Sequence, residues 1–158
     1  MRLRRVAPVA AVAVVLAGAS GAWLLLGNRS STPTAALGAP HFVDEAASSG
    51  VDHTYDGGSP FFVGGGLATL DCNADALPDL YLAGGSNPAA LYRNGSAVGG
   101  ALRFEHLTDA VTDLTDVTGA YPLDIDGDGV TDLAVLRVGE NVLLRGLGDC
   151  RFERANER

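Results

Sequence analysis

The stretch Asp124-Ile-Asp126-Gly-Asp128-Gly-Val-Thr-Asp132 constrains this chain more than any other part of the sequence. It places four carboxylates within nine residues, with glycine where a sharp turn is needed. Two unit charges about 4 Å apart repel by roughly 1 kcal/mol in water, and by roughly 4 kcal/mol at an effective dielectric of 20. A compact turn of this charge is therefore unfavourable unless a cation lies among the carboxylates.

Hard oxygen donors in a flexible loop suit Ca²⁺, which takes about six to eight of them. We therefore predict a calcium site in this loop. The side-chain oxygens would come from Asp124, Asp126, Asp128 and Asp132, and a backbone carbonyl from Val130. The alternative is a metal-free Asp-Gly turn, which is common in hairpins.

A second loop of the same pattern lies 53 residues earlier in the chain, and this repetition favours the metal-binding interpretation. Its predicted ligands are the side chains of Asp71, Asn73, Asp75 and Asp79 and the carbonyl of Leu77. Ala76 stands where the other loop has Gly129, and an alanine forced to positive φ costs roughly 1 kcal/mol. Since the earlier loop also has one carboxylate fewer, we expect it to bind calcium more weakly.

An EF-hand is excluded by position. That loop needs a bidentate Glu at its twelfth residue. The twelfth residue is Val135 counted from Asp124, and Leu82 counted from Asp71. Both lie in apolar segments that are predicted to be strands, so a nine-residue loop between two strands remains.

The segments around the two loops repeat as well, and they predict an all-β fold. Each unit, approximately 62–107 and 118–155, contains four short apolar segments joined by Gly- and Asp-rich turns, which indicates one antiparallel four-stranded sheet. Repeated sheets of this kind build a β-propeller, but two units fall short of the usual ring of about 4–8 blades. We therefore expect an incomplete propeller, from either a truncated chain or one that assembles with others. Phe42–Asp44 resembles the fourth strand of each unit and is predicted to be an isolated outer strand.

The N-terminal residues are predicted to lie outside the globular fold. Residues 1–27 combine early arginines with a long apolar segment, which is typical of a signal peptide or a helical signal anchor. An uncleaved anchor is favoured, because cleavage after Ala19 would leave an apolar mature N-terminus. Residues 28–40 have the composition of a linker, and the globular part spans 41–158.

Charge and cysteine content limit the partners and the compartment. The net charge of -8 argues against nucleic acid as a partner, because nucleic-acid-binding surfaces are basic. Export would permit a disulfide between Cys72 and Cys150, whose predicted turns fall on the same face of a propeller. Two separate cysteines are the alternative.

The loop pattern, followed by leucine, resembles the FG-GAP (VCBS-type) repeats of integrin α-subunit-like propellers. Phe62-Val-Gly-Gly-Gly66 resembles the phrase that names the repeat, and Leu91-Tyr-Arg-Asn94 and the Arg-Phe-Glu segments resemble the CRTAC/ASPIC-UnbV group of exported proteins. The resemblance covers about residues 42–155. It implies a propeller of about seven blades, which is within the usual range. It also implies structural Ca²⁺ and a role in adhesion or recognition.

The function predicted from these features is an exported, calcium-binding module that binds a protein or carbohydrate at the cell surface without catalysis. It would meet the membrane only through its N-terminal segment. The alternative is the scaffold part of an extracytoplasmic hydrolase or lyase whose catalytic residues lie outside this chain, since no nucleophile–base pair is evident in the sequence.

Overall fold

The computed structural model describes residues 38–156 of the chain. The signal peptide or anchor predicted for residues 1–27, and residues 28–37 of the predicted linker, lie outside the described residues. Within the described part, no helix has the length and apolar character needed to cross a membrane. The chain divides into two compact units between Phe42 and Val43, and the strands all belong to the second unit.

Two four-stranded antiparallel sheets form this second unit, each with its strands in chain order. The first sheet, blade 1, consists of β1 (Leu67–Leu70), β2 (Asp79–Leu82), β3 (Ala90–Asn94) and β4 (Phe104–Leu107). The second sheet, blade 2, consists of β5 (Val117–Leu123), β6 (Asp132–Arg137), β7 (Val142–Gly146) and β8 (Phe152–Arg154). These sheets confirm the all-β class and the two predicted four-stranded units; within residues 38–156 they do not close into a ring.

Short helical turns precede blade 1, and the predicted outer strand is absent. The helix α1 spans Ala46–Ser49, and a 3₁₀ turn spans Phe61–Val63. Residues 42–44 form no strand in the described part of the chain, so the outer strand predicted for Phe42–Asp44 is not found there. Instead, the Asp44 carboxylate accepts the backbone N–H of Ala46 at 3.0 Å, at the start of α1.

One apolar core joins the two blades. Strand side chains alternate between the faces of a sheet, and one face of each blade contributes to the core. Tyr81 and Leu91 from blade 1 are fully buried together with Leu133 and Leu144 from blade 2. Burial of these side chains is the main stabilising contribution, at about 1.5–3 kcal/mol for each large apolar residue.

The two blades also contact each other at a pair of glycines. The backbone N–H of Gly66 donates to the carbonyl of Thr118 at 2.9 Å. A Cβ atom added to Gly66 would lie 3.2 Å from the Cα of Gly119. A larger residue at position 66 would therefore crowd the backbone of β5.

Candidate metal centre

Loop 2, which we define as residues 124–132, connects β5 to β6 and is folded by its own carboxylates. Asp124 accepts the N–H of Gly127 at 2.7 Å through Oδ1 and the N–H of Gly129 at 3.1 Å through Oδ2. Asp128 accepts the N–H of Val130 at 2.8 Å. The carboxylates therefore hold the backbone in the turn that brings them together.

This turn places three carboxylates in one exposed cluster. One carboxylate oxygen from each of Asp124, Asp126 and Asp128 lies within 4.8 Å of the other two. Calcium–oxygen distances are about 2.3–2.6 Å, so two oxygens on one ion lie at most about 5 Å apart. These separations would permit one calcium ion between the three side chains, and their metal ligation stays a prediction. Coordination by the carbonyl of Val130 stays a prediction.

Asp132, the last predicted side-chain ligand of loop 2, is fully buried and is not a member of that cluster. Its Oδ2 accepts the N–H of Ile125 at 2.7 Å, and its Oδ1 accepts the N–H of Gly146 at 2.7 Å. It thereby joins the start of loop 2, β6 and the end of β7. These bonds assign it a structural role, and its metal ligation stays a prediction.

Loop 1, residues 71–79, is likewise folded by its own side chains, with differences in its polar contacts. Asp71 accepts the N–H groups of Asp75 at 3.2 Å and Ala76 at 2.9 Å, and Asp75 accepts the N–H of Leu77 at 2.8 Å. Asn73 donates from Nδ2 to the Asp75 carboxylate at 2.8 Å. Loop 1 thus has a neutral hydrogen-bond donor to the Asp75 carboxylate where loop 2 has a third exposed carboxylate. Ligation by Asp71, Asn73, Asp75 and the Leu77 carbonyl stays a prediction.

The backbone of loop 1 carries strain that loop 2 avoids. Gly127 and Gly129 have φ of 76° and 81°. The corresponding residues of loop 1 are Ala74 and Ala76, with φ of 61° and 65°. An L-residue in this conformation costs roughly 1–2 kcal/mol. The positive φ expected at Ala76 is therefore present, and Ala74 is a second such position.

Asp79 repeats the structural role of Asp132. It is fully buried, and it accepts the N–H groups of Cys72 at 2.8 Å and Asn94 at 2.7 Å. Burial raises the pKa of its carboxyl group; the two N–H donors lower it, and the charges of Asp75 and Asp71 raise it. Its metal ligation, like that of Asp132, stays a prediction. A cation between Asp71 and Asp75 would offset the part of the rise in the pKa of Asp79 that comes from their negative charges.

A disulfide connects loop 1 to blade 2. Cys72 and Cys150 are bonded, with their Cα atoms 4.5 Å apart, and the N–H of Cys150 donates to the carbonyl of Cys72 at 2.9 Å. The turn between β7 and β8 therefore lies against loop 1. In loop 2 the residue that corresponds to Cys72 is Ile125, which is exposed.

An arginine next to loop 2 was not predicted as part of the site. The guanidinium of Arg145, on β7, lies 3.5 Å from Oδ2 of Asp126 and 3.7 Å from the Glu153 carboxylate. The sequence aligns Arg145 with Arg93 in the repeat, but this alignment does not indicate which carboxylate each arginine reaches. The same alignment does indicate the positive φ of Ala74, because it pairs Ala74 with Gly127.

Comparison with known proteins identifies the repeat. The model of the FG-GAP-like repeat matches residues 71–135, and no curated protein matches the chain. The matched segment begins at the first residue of loop 1 and ends within β6, so it contains both loops. Residues 71–135 of this chain are therefore similar to the FG-GAP-like repeat.

Proposed function

We propose that this protein is an exported, calcium-stabilised, propeller-like binding module without catalytic activity. The observation that carries the proposal is the cluster of Asp124, Asp126 and Asp128, whose oxygens lie within calcium-bridging distance. Three mutually repelling carboxylates in one turn are unfavourable without a cation. Calcium would stabilise the turn, and its binding free energy would add to the stability of the fold.

The uncovered face of blade 2 supports a propeller-like arrangement of further sheets. Leu70 in blade 1 is 6% exposed because blade 2 packs over it, whereas the corresponding Leu123 in blade 2 is 40% exposed. Ala68 is 4% exposed, and its counterpart Tyr121 is 64% exposed. Blade 2 thus presents to solvent the apolar face that blade 1 buries, as expected of a sheet that packs against another blade.

The disulfide and the charge support the compartment and the class of partner. Disulfides persist in oxidising compartments, so the Cys72–Cys150 bond favours an extracytoplasmic location. The net charge of -8 favours a protein or carbohydrate ligand over nucleic acid. Repeats of the FG-GAP type are suited to binding, because their turns present variable side chains on a rigid sheet framework.

Thermal unfolding of the purified chain tests the calcium part of this proposal. We expect added Ca²⁺ to raise the melting temperature by several degrees and EDTA to reverse the change, since a ligand at 100 times its Kd stabilises by about 2.7 kcal/mol. Mg²⁺ at the same concentration is the control for ionic strength and should have a smaller effect, because it prefers stricter octahedral geometry. A melting temperature unchanged by calcium and by EDTA would contradict the proposal.

A further inference from the structure

The contact between Arg145 and Asp126 joins β7 to the carboxylate cluster of loop 2. Nε of Arg145 is buried and, among the described residues, has no hydrogen-bond partner, although Oδ2 of Asp126 lies 3.5 Å away. The guanidinium therefore faces Asp126 as a charge without a well-aligned hydrogen bond. A divalent metal ion bound to Asp126 would therefore displace this contact.

The two carboxylate oxygens of Asp126 have different neighbours. Oδ1 accepts the N–H of Asp128 at 3.2 Å, within the turn. Oδ2 faces Arg145. The arginine thus approaches the oxygen of Asp126 that the N–H of Asp128 does not contact.

Blade 1 provides an internal comparison. Arg93, at the position that corresponds to Arg145, forms an ion pair with Glu105 on β4, as Arg145 does with Glu153 on β8. Asn73, at the position that corresponds to Asp126, is neutral and donates to Asp75. Among residues 38–156, the arginine of the third strand thus reaches the loop only where the third loop residue is charged.

We propose that Arg145 is the counter-cation of the metal-free loop 2 and competes with calcium for Asp126, so that it sets the calcium affinity of this loop. The inference rests on the proposed function. Arg145 lowers the repulsion among the three carboxylates when no metal is present. When calcium binds, the arginine loses its attraction to Asp126 and is repelled by the ion.

This role predicts opposite effects on two properties when the charge is removed. In Arg145→Gln, the metal-free protein should melt at a lower temperature, because the carboxylates lose their counter-charge. The calcium Kd of the same variant should fall by about two- to fivefold, the range that corresponds to one partly exposed ion pair. If Arg145 had only a structural role, its replacement would weaken folding and calcium binding together.

Calcium titration by calorimetry, together with melting in EDTA, tests this inference on the full chain. Arg93→Gln is the matched control and should leave the calcium affinity of loop 2 unchanged. In an Asp126→Asn background, Arg145→Gln should no longer tighten binding. Arg145→Met, which keeps the apolar part of the side chain in place, serves as the second variant if the glutamine variant does not fold.

The outcomes separate the inference from the proposed function. Absence of calcium binding in the wild-type chain would overturn both. Calcium binding that is equally tight or weaker in Arg145→Gln and Arg145→Met would overturn the role of Arg145 and leave the calcium-stabilised module intact. Tighter binding that persists in the Asp126→Asn background would also overturn it.

Discussion

Loop 1 and loop 2 have the same backbone fold but are stabilised differently. Loop 2 has glycine at both positions of positive φ, three clustered carboxylates and a nearby arginine. Loop 1 has alanine at both positions, an amide in place of one carboxylate, and a disulfide to the next blade. The comparison shows that the same turn occurs once with a covalent bond to the next blade and once with a cluster of carboxylates beside an arginine.

Both loops share one feature that does not depend on metal. A buried aspartate at the end of each loop, Asp79 or Asp132, accepts one N–H at the start of the loop and one at the end of the third strand. The aspartate thus stabilises the blade, and the exposed carboxylates before it are the groups available to an ion.

The disulfide should have the largest effect on stability. It closes a loop with a sequence separation of 78 residues, and the chain-entropy model gives a stabilisation of about 4.5 kcal/mol for that length. We expect Cys72→Ala/Cys150→Ala to lose about this much in urea-induced unfolding. Dithiothreitol should destabilise the wild-type chain similarly and leave the double variant unchanged; equal stability of the two proteins would contradict the covalent stabilisation of loop 1.

Removal of the buried aspartate should come next in size. Asp132→Ala leaves the N–H groups of Ile125 and Gly146 without their acceptor, and each unsatisfied buried group costs about 1–3 kcal/mol. We expect a loss of about 3 kcal/mol, measured in urea with EDTA present. Asp132→Asn, which keeps one acceptor oxygen, should lose less. A loss that appears only with calcium would show that Asp132 acts chiefly as a ligand.

Exchange of alanine and glycine between the loops should have smaller effects of opposite sign. Ala76→Gly relieves the positive φ of loop 1, and we expect a gain of about 1 kcal/mol in the free energy of unfolding. Gly129→Ala should lose about as much, and its Cβ would meet no atom within 4 Å, so the loss would come from the backbone conformation alone. Changes of the same sign in the two variants would contradict the strain assigned to loop 1.

The smallest effect is expected from Asn73→Asp, which gives loop 1 the carboxylate set of loop 2. We expect calcium binding at loop 1 to tighten a few-fold, because one more charge faces the ion. Asn73→Ser, which adds no charge, is the control. Equal calcium affinities of the two variants would show that charge does not account for the difference between the loops.

The sequence predicted the strands and turns well, because both are determined by short local segments. Short apolar segments joined by Gly- and Asp-rich turns indicated the eight strands, and the spacing of Asp124, Asp126 and Asp128 indicated their cluster. The sequence did not distinguish the buried, structural Asp132 from the exposed aspartates of loop 2. The burial of Asp132 depends on the approach of β7, which the local sequence does not show. The contact of Arg145 with Asp126 was missed for the same reason, and the outer strand predicted at Phe42–Asp44 lacked a neighbouring strand to take its hydrogen bonds.

Calorimetric titration of calcium into the wild-type chain and into Asp128→Ala tests the central claim most directly. Our account predicts two binding events in the wild-type chain, of which the tighter belongs to loop 2 and is lost in the variant. The weaker event, from loop 1, should remain. Absence of any calcium-specific heat in the wild-type chain, relative to a magnesium control, would contradict the account.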